Sequence, residues 1–284
     1  MTRLVLNADD AGLAGPLSRR VAALLRAGPL SDTSLLAVGA ACREASEALR
    51  AAGVAEAGVH LCLVGGEAPL SAPDAVRSLA PTGRFPASWL SVAARVSSGR
   101  VRIAEVEREW EAQTEAVLAE GFRLTHLDSH QHLHLLHRLL PVALALARRF
   151  AIPFVRAPRF DDPAAFASPG AAGRARSRLL AVFGAAARRR IASAGLPEPP
   201  RVLGLAEAGR MTSARFRALL LRLPRRGDFE VVLHPGADDA SARAHYPWGY
   251  SWEEEAAALE SDDLRRLLLE RGAEVVPFSS LAAP

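Results

Sequence analysis

The feature that most constrains the fold is a regular alternation of short apolar runs with longer stretches of helical periodicity. The apolar runs have the length of buried strands, and the stretches between them repeat apolar residues at helical spacing. The strand candidates are residues 3–7, 34–38, 58–64, 122–127, 152–156, 229–234 and 274–278. Repeated alternation of strand and helix predicts a mainly parallel sheet that is covered by helices. The pattern by itself is compatible with a closed barrel and with an open sheet.

The composition excludes several classes of protein. Half of the 284 residues are apolar, which is typical of a folded chain, and arginines interrupt every apolar run before it reaches the length of a membrane span. Every basic residue is an arginine, so chemistry that requires a lysine, such as Schiff-base formation, is excluded. The net charge of +4 is modest, and the arginine-rich stretch at 174–190 has no interleaved tryptophan or tyrosine. We interpret that stretch as a solvated helical surface and predict no nucleic-acid partner.

The chain is predicted to be a single domain over residues 1–284. The stretch 161–200 is rich in Ala, Arg and Pro and has poor periodicity, which is typical of an insertion or a variable helical segment. A loop rich in Pro, Gly and Ser at 66–86 has the length of a binding loop or an active-site lid. Acidic residues stand where a signal peptide would have its apolar core, and two cysteines are too few to staple the fold. These features predict a cytoplasmic protein.

Chemically capable side chains recur where the strand candidates end. They are Asp9, Asp10, His60, Asp128, His130, Arg156 and His234. In barrels and in open parallel sheets alike, ligands bind beyond the carboxyl ends of the strands. We therefore expect five separate segments of the chain to contribute to one site.

The first of these segments has two carboxylates side by side after a buried strand. Asp9 and Asp10 repel one another unless a positive group holds one of them. A divalent metal ion that binds one would leave the other as a base. The alternative is that an aspartate here caps the next helix, which is common.

The second segment, residues 125–134, is rich in histidine: five of the eight histidines of the chain lie within twelve residues that begin at His126. If the segment is extended, alternate side chains share one side; if it turns helical after Ser129, His130 and His134 share a face. Both geometries concentrate imidazoles, which are good ligands for zinc and similar ions. One ion cannot use them all, so some of them must support the ligands or contact the substrate.

Two further histidines stand at other strand ends. His60 and His234, each taken alone, are typical of core histidines. Together with the carboxylate pair and the histidine-rich segment, they complete what a hydrolytic metal site requires. Three protein ligands leave a position for water, and a base and an acid remain.

Four motifs, in this order, resemble the YdjC-like carbohydrate deacetylase family, whose members include chitooligosaccharide deacetylases. They are Asn-Ala-Asp-Asp-Ala-Gly at 7–12, Gly-Val-His-Leu at 58–61, Thr-His-Leu-Asp-Ser-His-Gln-His-Leu-His at 125–134 and His-Pro at 234–235. The resemblance implies an α/β fold, a distorted TIM-like (β/α) barrel of the deacetylase type. The chain departs from the family in having Ala11 where a bulky or aromatic residue is usual, and in its unmatched stretch 161–200. These departures bear on the substrate more than on the chemistry.

The resemblance also implies roles for particular residues. One divalent metal ion, zinc or magnesium with manganese and cobalt as further candidates, would be held by Asp10, His60 and His130. Asp9 would be the general base, and His234, as imidazolium, would be the general acid. Arg156 would keep the Asp9 carboxylate ionised and oriented, and a surface arginine is the alternative interpretation of this residue.

The implied reaction is removal of the N-acetyl group from an acetylated amino sugar or oligosaccharide. The sequence predicts no membrane span, and it is compatible with a homo-oligomer. Aromatic residues available to contact a sugar are Trp89, Tyr246, Trp248, Tyr250 and Trp252, with packing at a helix start as the alternative for the cluster 246–252. Two other functions stay open, a metal-dependent esterase or phosphoesterase on a related barrel and a catalytically silent sugar-binding barrel. The spare carboxylate argues against the silent barrel, because binding alone needs no base.

Overall fold

The computed structural model of the protein describes residues 1–159, 171–205 and 207–282, with 171–177 described by their backbone only. Within these residues the strands are β1 (Thr2–Ala11), β2 (Asp32–Leu35), β3 (Glu56–Leu61), β4 (Arg123–Ser129), β5 (Phe154–Val155), β6 (Arg201–Leu203), β7 (Gly227–Leu233) and β8 (Ala273–Val275). The helices are α1 (Gly15–Ala27), α2 (Cys42–Ala51), α3 (Trp89–Ser97), α4 (Ile103–Ala119), α5 (Leu140–Arg149), α6 (Ala171–Ser193), α7 (Ser213–Arg222), α8 (Ala240–His245), α9 (Trp252–Glu260), α10 (Asp262–Arg271) and α11 (Phe278–Leu281). Short 3-10 helices occur at Pro73–Ala75 and His130–Leu135.

The sheet is parallel and is centred on β1. Its strand order within the described residues is β5-β4-β3-β2-β1-β7-β6. One edge of β1 pairs with β7, while the other edge pairs with β8 at its start and with β2 at its end. Because all these pairs are parallel, the carboxyl ends of the strands meet on one rim, as the sequence predicts for the site.

The sheet is curled. Arg156 follows β5 at one end of the strand order, and its Nε donates to Glu230 Oε1 on β7, 2.8 Å away. These two strands lie far apart in the order, so the contact requires the sheet to bend around an interior. Within the described residues no strand pairing joins β5 to β6, and the barrel is open there. The predicted α/β fold with a distorted TIM-like barrel is confirmed, as a curled half-barrel.

Burial on both faces explains why the apolar runs form strands. Leu4 and Leu6 on β1 are fully buried, as are Val59 and Leu61 on β3. Strands covered on both faces have near-continuous apolar sequences. Each large apolar side chain removed from water contributes about 1.5–3 kcal/mol. Trp110 on α4 is fully buried in the same core.

The strand candidates all occur as strands, with bounds that differ by a few residues. The stretch 252–271 forms two helices, α9 and α10, which meet at Ser261. The backbone of Ser261 is extended, and its hydroxyl accepts a hydrogen bond from the Leu264 N–H at 3.2 Å. This serine is therefore the N-cap of α10, which a periodicity argument overlooks.

Part of the predicted insertion at 161–200 lies outside the described residues, which resume at 171. The described part contains α6 and leads into β6, a three-residue strand that the sequence pattern did not reveal. The assignment of 1–284 to a single domain stays a prediction. Among the residues that the structure describes, no helix has the length and apolar content needed to cross a bilayer.

Candidate metal centre and active site

Asp9 and Asp10 lie in one site because the end of β1 is irregular. Successive side chains of a regular strand point to opposite faces, which would separate the two carboxylates. Asp10 instead has a φ of 65°, and the pairing of β1 with β2 shifts its register between Ala8 and Ala11. Aspartate adopts this left-handed conformation more readily than most residues. As a result, both carboxylates lie close to His60.

Three buried residues form a cluster of ligand atoms. Asp10 Oδ1 lies 3.1 Å from His60 Nε2 and 2.9 Å from His130 Nδ1. One ligand atom of each residue lies within 4.8 Å of those of the other two. The donors come from β1, from β3 and from the turn that follows β4. A carboxylate with two imidazoles suits zinc and neighbouring divalent ions and leaves coordination positions open.

Asp128 orients the imidazole of His60. Its Oδ1 lies 2.7 Å from His60 Nδ1, and its Oδ2 accepts from the Ser34 hydroxyl at 3.1 Å. A ring proton on Nδ1 leaves Nε2 directed at Asp10 as the ligand atom. Carboxylate partners of this kind fix the tautomer of a metal-binding histidine and raise its basicity.

The charges of this cluster favour a cation. Burial raises the pKa of Asp10, but His130 and His60 outweigh this effect and hold it well below the usual range. Burial lowers the pKa of His60, but Asp128 and Asp10 prevail and raise it well above the usual value. The carboxylates around His60 therefore stabilise positive charge at the position where the sequence predicts a metal ion.

Arg156 is 2% exposed, so the interpretation as a surface arginine is wrong. Its Nη1 and Nη2 donate to Oδ2 and Oδ1 of Asp9, each at 2.7 Å. The same guanidinium contacts Asp128 Oδ2 at 2.6 Å as well as Glu230. Burial lowers the pKa of Arg156, but these carboxylates raise it well above the ordinary value. Arg156 therefore stays charged and holds Asp9 in a bidentate, planar contact.

The two oxygens of Asp9 differ in what they bind. Oδ1 accepts from Asn7 Nδ2 at 2.8 Å and from Arg156 Nη2, and it lies 3.3 Å from the Ser34 hydroxyl oxygen. Among the described residues, Oδ2 accepts only from Arg156 Nη1. A carboxylate oxygen has two lone pairs, so Oδ2 keeps one for a proton donor such as water.

His234 follows β7, and its Nε2 lies 3.9 Å from Asp10 Oδ2. Its backbone N–H donates to Glu255 Oε2 at 2.6 Å, and within the described residues its Nδ1 has no hydrogen-bond partner. Burial lowers the pKa of His234, and this effect is larger than the opposing effect of the negative charges of Asp10 and Asp9. The imidazole is therefore neutral in the resting protein, whereas the sequence interpretation has an imidazolium here.

The histidine-rich segment is neither a continuous strand nor a regular helix. β4 ends at Ser129, and the 3-10 helix that follows has positive φ at Gln131 and His132. His126 lies on the strand, where it stacks on the ring of Phe278 at 4.0 Å. Burial lowers the pKa of His126 to about 3, so it is a neutral core residue.

Sequence reasoning missed three polar residues that support this site, which are Ser34, Glu230 and Glu255. Burial raises the pKa of Glu230 to about 7 in spite of its contact with Arg156. A glutamate inside the apolar run 229–234 was a usable signal for it. Ser34 and Glu255 carry no comparable signal, because serine is common in strands and Glu255 is one of three successive glutamates.

The aromatic residues near the C-terminus divide into two groups. The Trp248 ring lies 5.1 Å from that of His130, and the Tyr250 ring lies 5.0 Å from that of His234. Trp252 is instead buried in a small apolar cluster with Leu17, so the packing interpretation holds for it. Trp89 lies on α3 and is 39% exposed.

The sequence model of the family described as YdjC-like protein matches residues 3–270. The chain belongs to the YdjC-like family. This match extends over the strands that carry the whole ligand cluster, from β1 to β7 and beyond. The resemblance seen in the four sequence motifs is thereby confirmed.

Several curated relatives carry deacetylase names. The chain is 31% identical over 163 residues to a carbohydrate deacetylase of Oceanobacillus iheyensis, a match that covers 56% of this chain and 67% of the relative. It is 32% identical over 160 residues to a carbohydrate deacetylase of Enterococcus faecalis, over 55% of this chain and 59% of the relative. It is 33% identical over 150 residues to a chitooligosaccharide deacetylase of Klebsiella pneumoniae, over 52% and 57%. The matches thus span between about half and two thirds of either partner.

A solved structure supports the fold over the full length. It is that of a candidate cellobiose-phosphate cleavage protein of Enterococcus faecalis V583, with a TM-score of 0.76 and 24% sequence identity. The similarity covers 99% of both chains. At this level of identity the comparison shows a shared architecture, and the chemistry has to be argued from the site.

Proposed function

We propose that this member of the YdjC-like family is a metal-dependent hydrolase that removes the N-acetyl group from an acetylated amino sugar or oligosaccharide. The observation that carries the proposal is the buried cluster of Asp10, His60 and His130 with a second carboxylate, Asp9, beside it. The deacetylase names of three relatives support the choice of an acetylated carbohydrate as substrate.

Asp10, His60 and His130 fit a divalent ion, because they are buried, convergent and surrounded by carboxylates that favour a cation. Zinc or magnesium, or else manganese or cobalt, would supply Lewis acidity there: it polarises an acyl carbonyl and makes a water molecule more acidic. The donor set by itself is compatible with all four ions.

Asp9 is proposed as the general base. An amide is a poor electrophile, so attack by water requires that a proton be removed as the new bond forms. The Oδ2 atom of Asp9 has an unused lone pair, and Arg156 fixes the plane of the carboxylate. Arg156 thereby acts as a positioning residue, and its positive charge is paired with the buried carboxylate of Asp9.

His234 is proposed to donate a proton to the leaving nitrogen. Its Nε2 lies on the same rim, 3.9 Å from Asp10 Oδ2. Because burial lowers the pKa of the imidazole, His234 has to take up a proton during the reaction before it gives one to the amine. The backbone contact with Glu255 holds the residue in place meanwhile.

The proposal is tested by metal content and product release measured on the same samples. We expect about one divalent ion per chain and release of acetate and free amine from N-acetylglucosamine oligomers, with no release after chelation. Asp10→Ala should lose the ion and the activity together. Asp9→Asn should keep the ion and lose about 10²–10⁴-fold in kcat, as expected for removal of a general base.

Each alternative predicts a different result. Full activity of Asp9→Asn would refute the assignment of the base. Turnover of aryl acetates without any turnover of N-acetylated sugars would indicate the esterase. A wild-type protein without a bound ion and without turnover would indicate the silent sugar-binding barrel.

A further inference from the structure

An aromatic strip lies over the proposed metal centre. We use this name for Tyr246, Trp248 and Tyr250, which follow α8. The Trp248 ring lies 4.9 Å from that of Tyr246 and 5.3 Å from that of Tyr250. The strip meets two imidazoles of the site, since Trp248 packs on His130 and Tyr250 on His234.

One hydrogen bond attaches this strip to a distant loop. The Tyr246 hydroxyl donates to Glu67 Oε1 at 2.8 Å, and both residues are buried, with 5% and 7% of their surfaces exposed. Glu67 belongs to the Pro/Gly-rich loop after β3, and its carbonyl accepts from the Phe85 N–H at 2.9 Å. Glu67 is thus held by its own loop, and its hydrogen bond joins this loop to the aromatic strip.

The position of this bond in the fold is informative. The loop of Glu67 follows β3, and the strip follows β7, and β2 and β1 lie between these strands in the sheet. The bond therefore spans the part of the rim where β1 ends with Asp9 and Asp10. A buried hydrogen bond is costly to break because its partners are left unpaired, so this one can hold the strip in place.

A close backbone approach supports the strip from the other side. Gly209 lies in the loop after β6, with a φ of +70°, and a methyl group placed on it would overlap the Tyr250 ring. The Gly209 carbonyl also accepts from the Ser251 N–H at 2.7 Å. The strip is therefore held between the loops that follow β3 and β6.

We propose that the Glu67–Tyr246 hydrogen bond positions Trp248 on the metal-binding imidazole of His130, and that Trp248 forms the wall against which the acetylated sugar ring packs. This inference rests on the proposed function. Trp248 is half-buried, so part of its surface stays accessible while its ring lies 5.1 Å from that of His130. Aromatic faces bind the apolar faces of sugar rings, and a ring whose N-acetyl group reaches the cluster must lie next to Trp248.

The positional part is tested by fluorescence, without turnover. Co²⁺ quenches the fluorescence of nearby tryptophans, so Co²⁺ titration should quench part of the emission of the wild-type protein. Trp248→Phe should lose this quenchable part of the emission, and the control variant Trp89→Phe should keep it. Tyr246→Phe keeps the ring but loses the hydroxyl; we expect it to bind Co²⁺ with unchanged stoichiometry by equilibrium dialysis and to show weaker quenching. Glu67→Gln keeps an acceptor oxygen and should quench like the wild type.

The specificity part is tested by steady-state kinetics. Tyr246→Phe should raise KM for N-acetylglucosamine oligomers about fivefold to tenfold, with kcat within about twofold, because it removes one buried hydrogen bond outside the reacting groups. Trp248→Phe should raise KM more than Tyr246→Phe does. Glu67→Gln, which keeps an acceptor oxygen, should keep the wild-type KM.

The outcomes separate this inference from the function on which it rests. Wild-type protein that binds no Co²⁺ and releases no acetate would overturn both. Wild-type protein that does both, with Tyr246→Phe unchanged in quenching and in KM, would overturn the inference alone. Near-UV circular dichroism of Tyr246→Phe tests that the core is intact, and Trp248→Phe with a wild-type KM would overturn the sugar contact by itself.

Discussion

At the scale of single residues, partners separate identical side chains into different roles. His130 faces the Asp10 carboxylate, whereas His134, four residues later, is bonded through both ring nitrogens. Its Nδ1 lies 2.6 Å from Ser129 Oγ, and its Nε2 donates to the Arg156 carbonyl at 2.8 Å. Burial lowers the pKa of His134 to about 4, so the ring is neutral. We infer that His134 stabilises the turn that presents His130.

This assignment predicts that two alanine variants differ in metal binding and in the size of their loss of stability. His134→Ala should lower the free energy of unfolding by about 2–4 kcal/mol, because it leaves the buried Arg156 carbonyl without its donor, removes the ring acceptor of the Ser129 hydroxyl and creates a cavity. The folded fraction should still bind metal. His130→Ala should lose the metal at a smaller cost in stability. Denaturant unfolding together with elemental analysis distinguishes the two variants. A further variant, His134→Gln, would contradict the assignment if it had wild-type stability and bound no metal.

At the scale of elements, the short strand β2 is also the anchor for the C-terminal helix α11. Asp32, its first residue, accepts from the Phe278 N–H at 2.9 Å and from the Thr33 N–H at 3.0 Å. Burial nevertheless raises the pKa of Asp32 to about 7, and repulsion from Glu230 and Asp128 adds to the effect. The ionised form of Asp32 therefore lowers the stability of this junction at high pH.

The sign of the pH dependence follows from this raised pKa. The folded protein holds a proton on Asp32 that the unfolded chain has lost above its pKa of about 3.9, so the stability due to this proton falls as pH rises from about 4 through about 7. Asp32→Asn cannot ionise. We expect the wild type to lose stability relative to Asp32→Asn over this range, by at most about 1.4 kcal/mol per pH unit.

Thermal or denaturant unfolding across the same pH range measures this difference. Asp74→Asn, at a carboxylate whose side chain is 85% exposed, is the matched control and should follow the wild type. Parallel curves for the wild type and Asp32→Asn would show that the buried carboxylate does not titrate as its environment implies.

At the scale of the whole molecule, the site connects strands that backbone pairing leaves apart. Arg156, which follows β5, reaches Asp9 on β1 and Glu230 on β7 across the interior of the curled sheet. The ligand cluster likewise takes one donor each from β1 and β3 and one from the turn after β4. A shared cation would therefore cross-link these strands at the rim where their carboxyl ends meet.

Metal binding should for this reason raise the thermal stability of the entire fold. A ligand at a hundred times its Kd adds about 2.7 kcal/mol to the free energy of unfolding, which corresponds to a Tm increase on the order of 5 °C for a chain of this size. Differential scanning calorimetry with excess Zn²⁺ and after chelation measures the change. Asp10→Ala should not respond, and an equal response of this variant would show that the ion binds elsewhere.

The sequence by itself determined the class of fold and most of the candidate site residues. Alternation of apolar runs with helical stretches reflects burial of a parallel sheet on both faces, and this local pattern survives in any chain that folds in this way. Polar residues at the strand ends stand out because ligands of parallel sheets bind beyond the carboxyl ends of the strands. Asp9, Asp10, His60, His130, Arg156 and His234 could therefore be singled out, and the structure brings them together on one rim.

Only the tertiary structure decided how these residues differ from one another. The positive φ of Asp10 aligns two neighbouring carboxylates, and burial makes His234 neutral and Arg156 an internal cation. Glu67 and Tyr246 lie 179 positions apart, and no local pattern links them. Desolvation and the pairing of charges depend on which groups meet in space, and the linear order of residues does not contain that information.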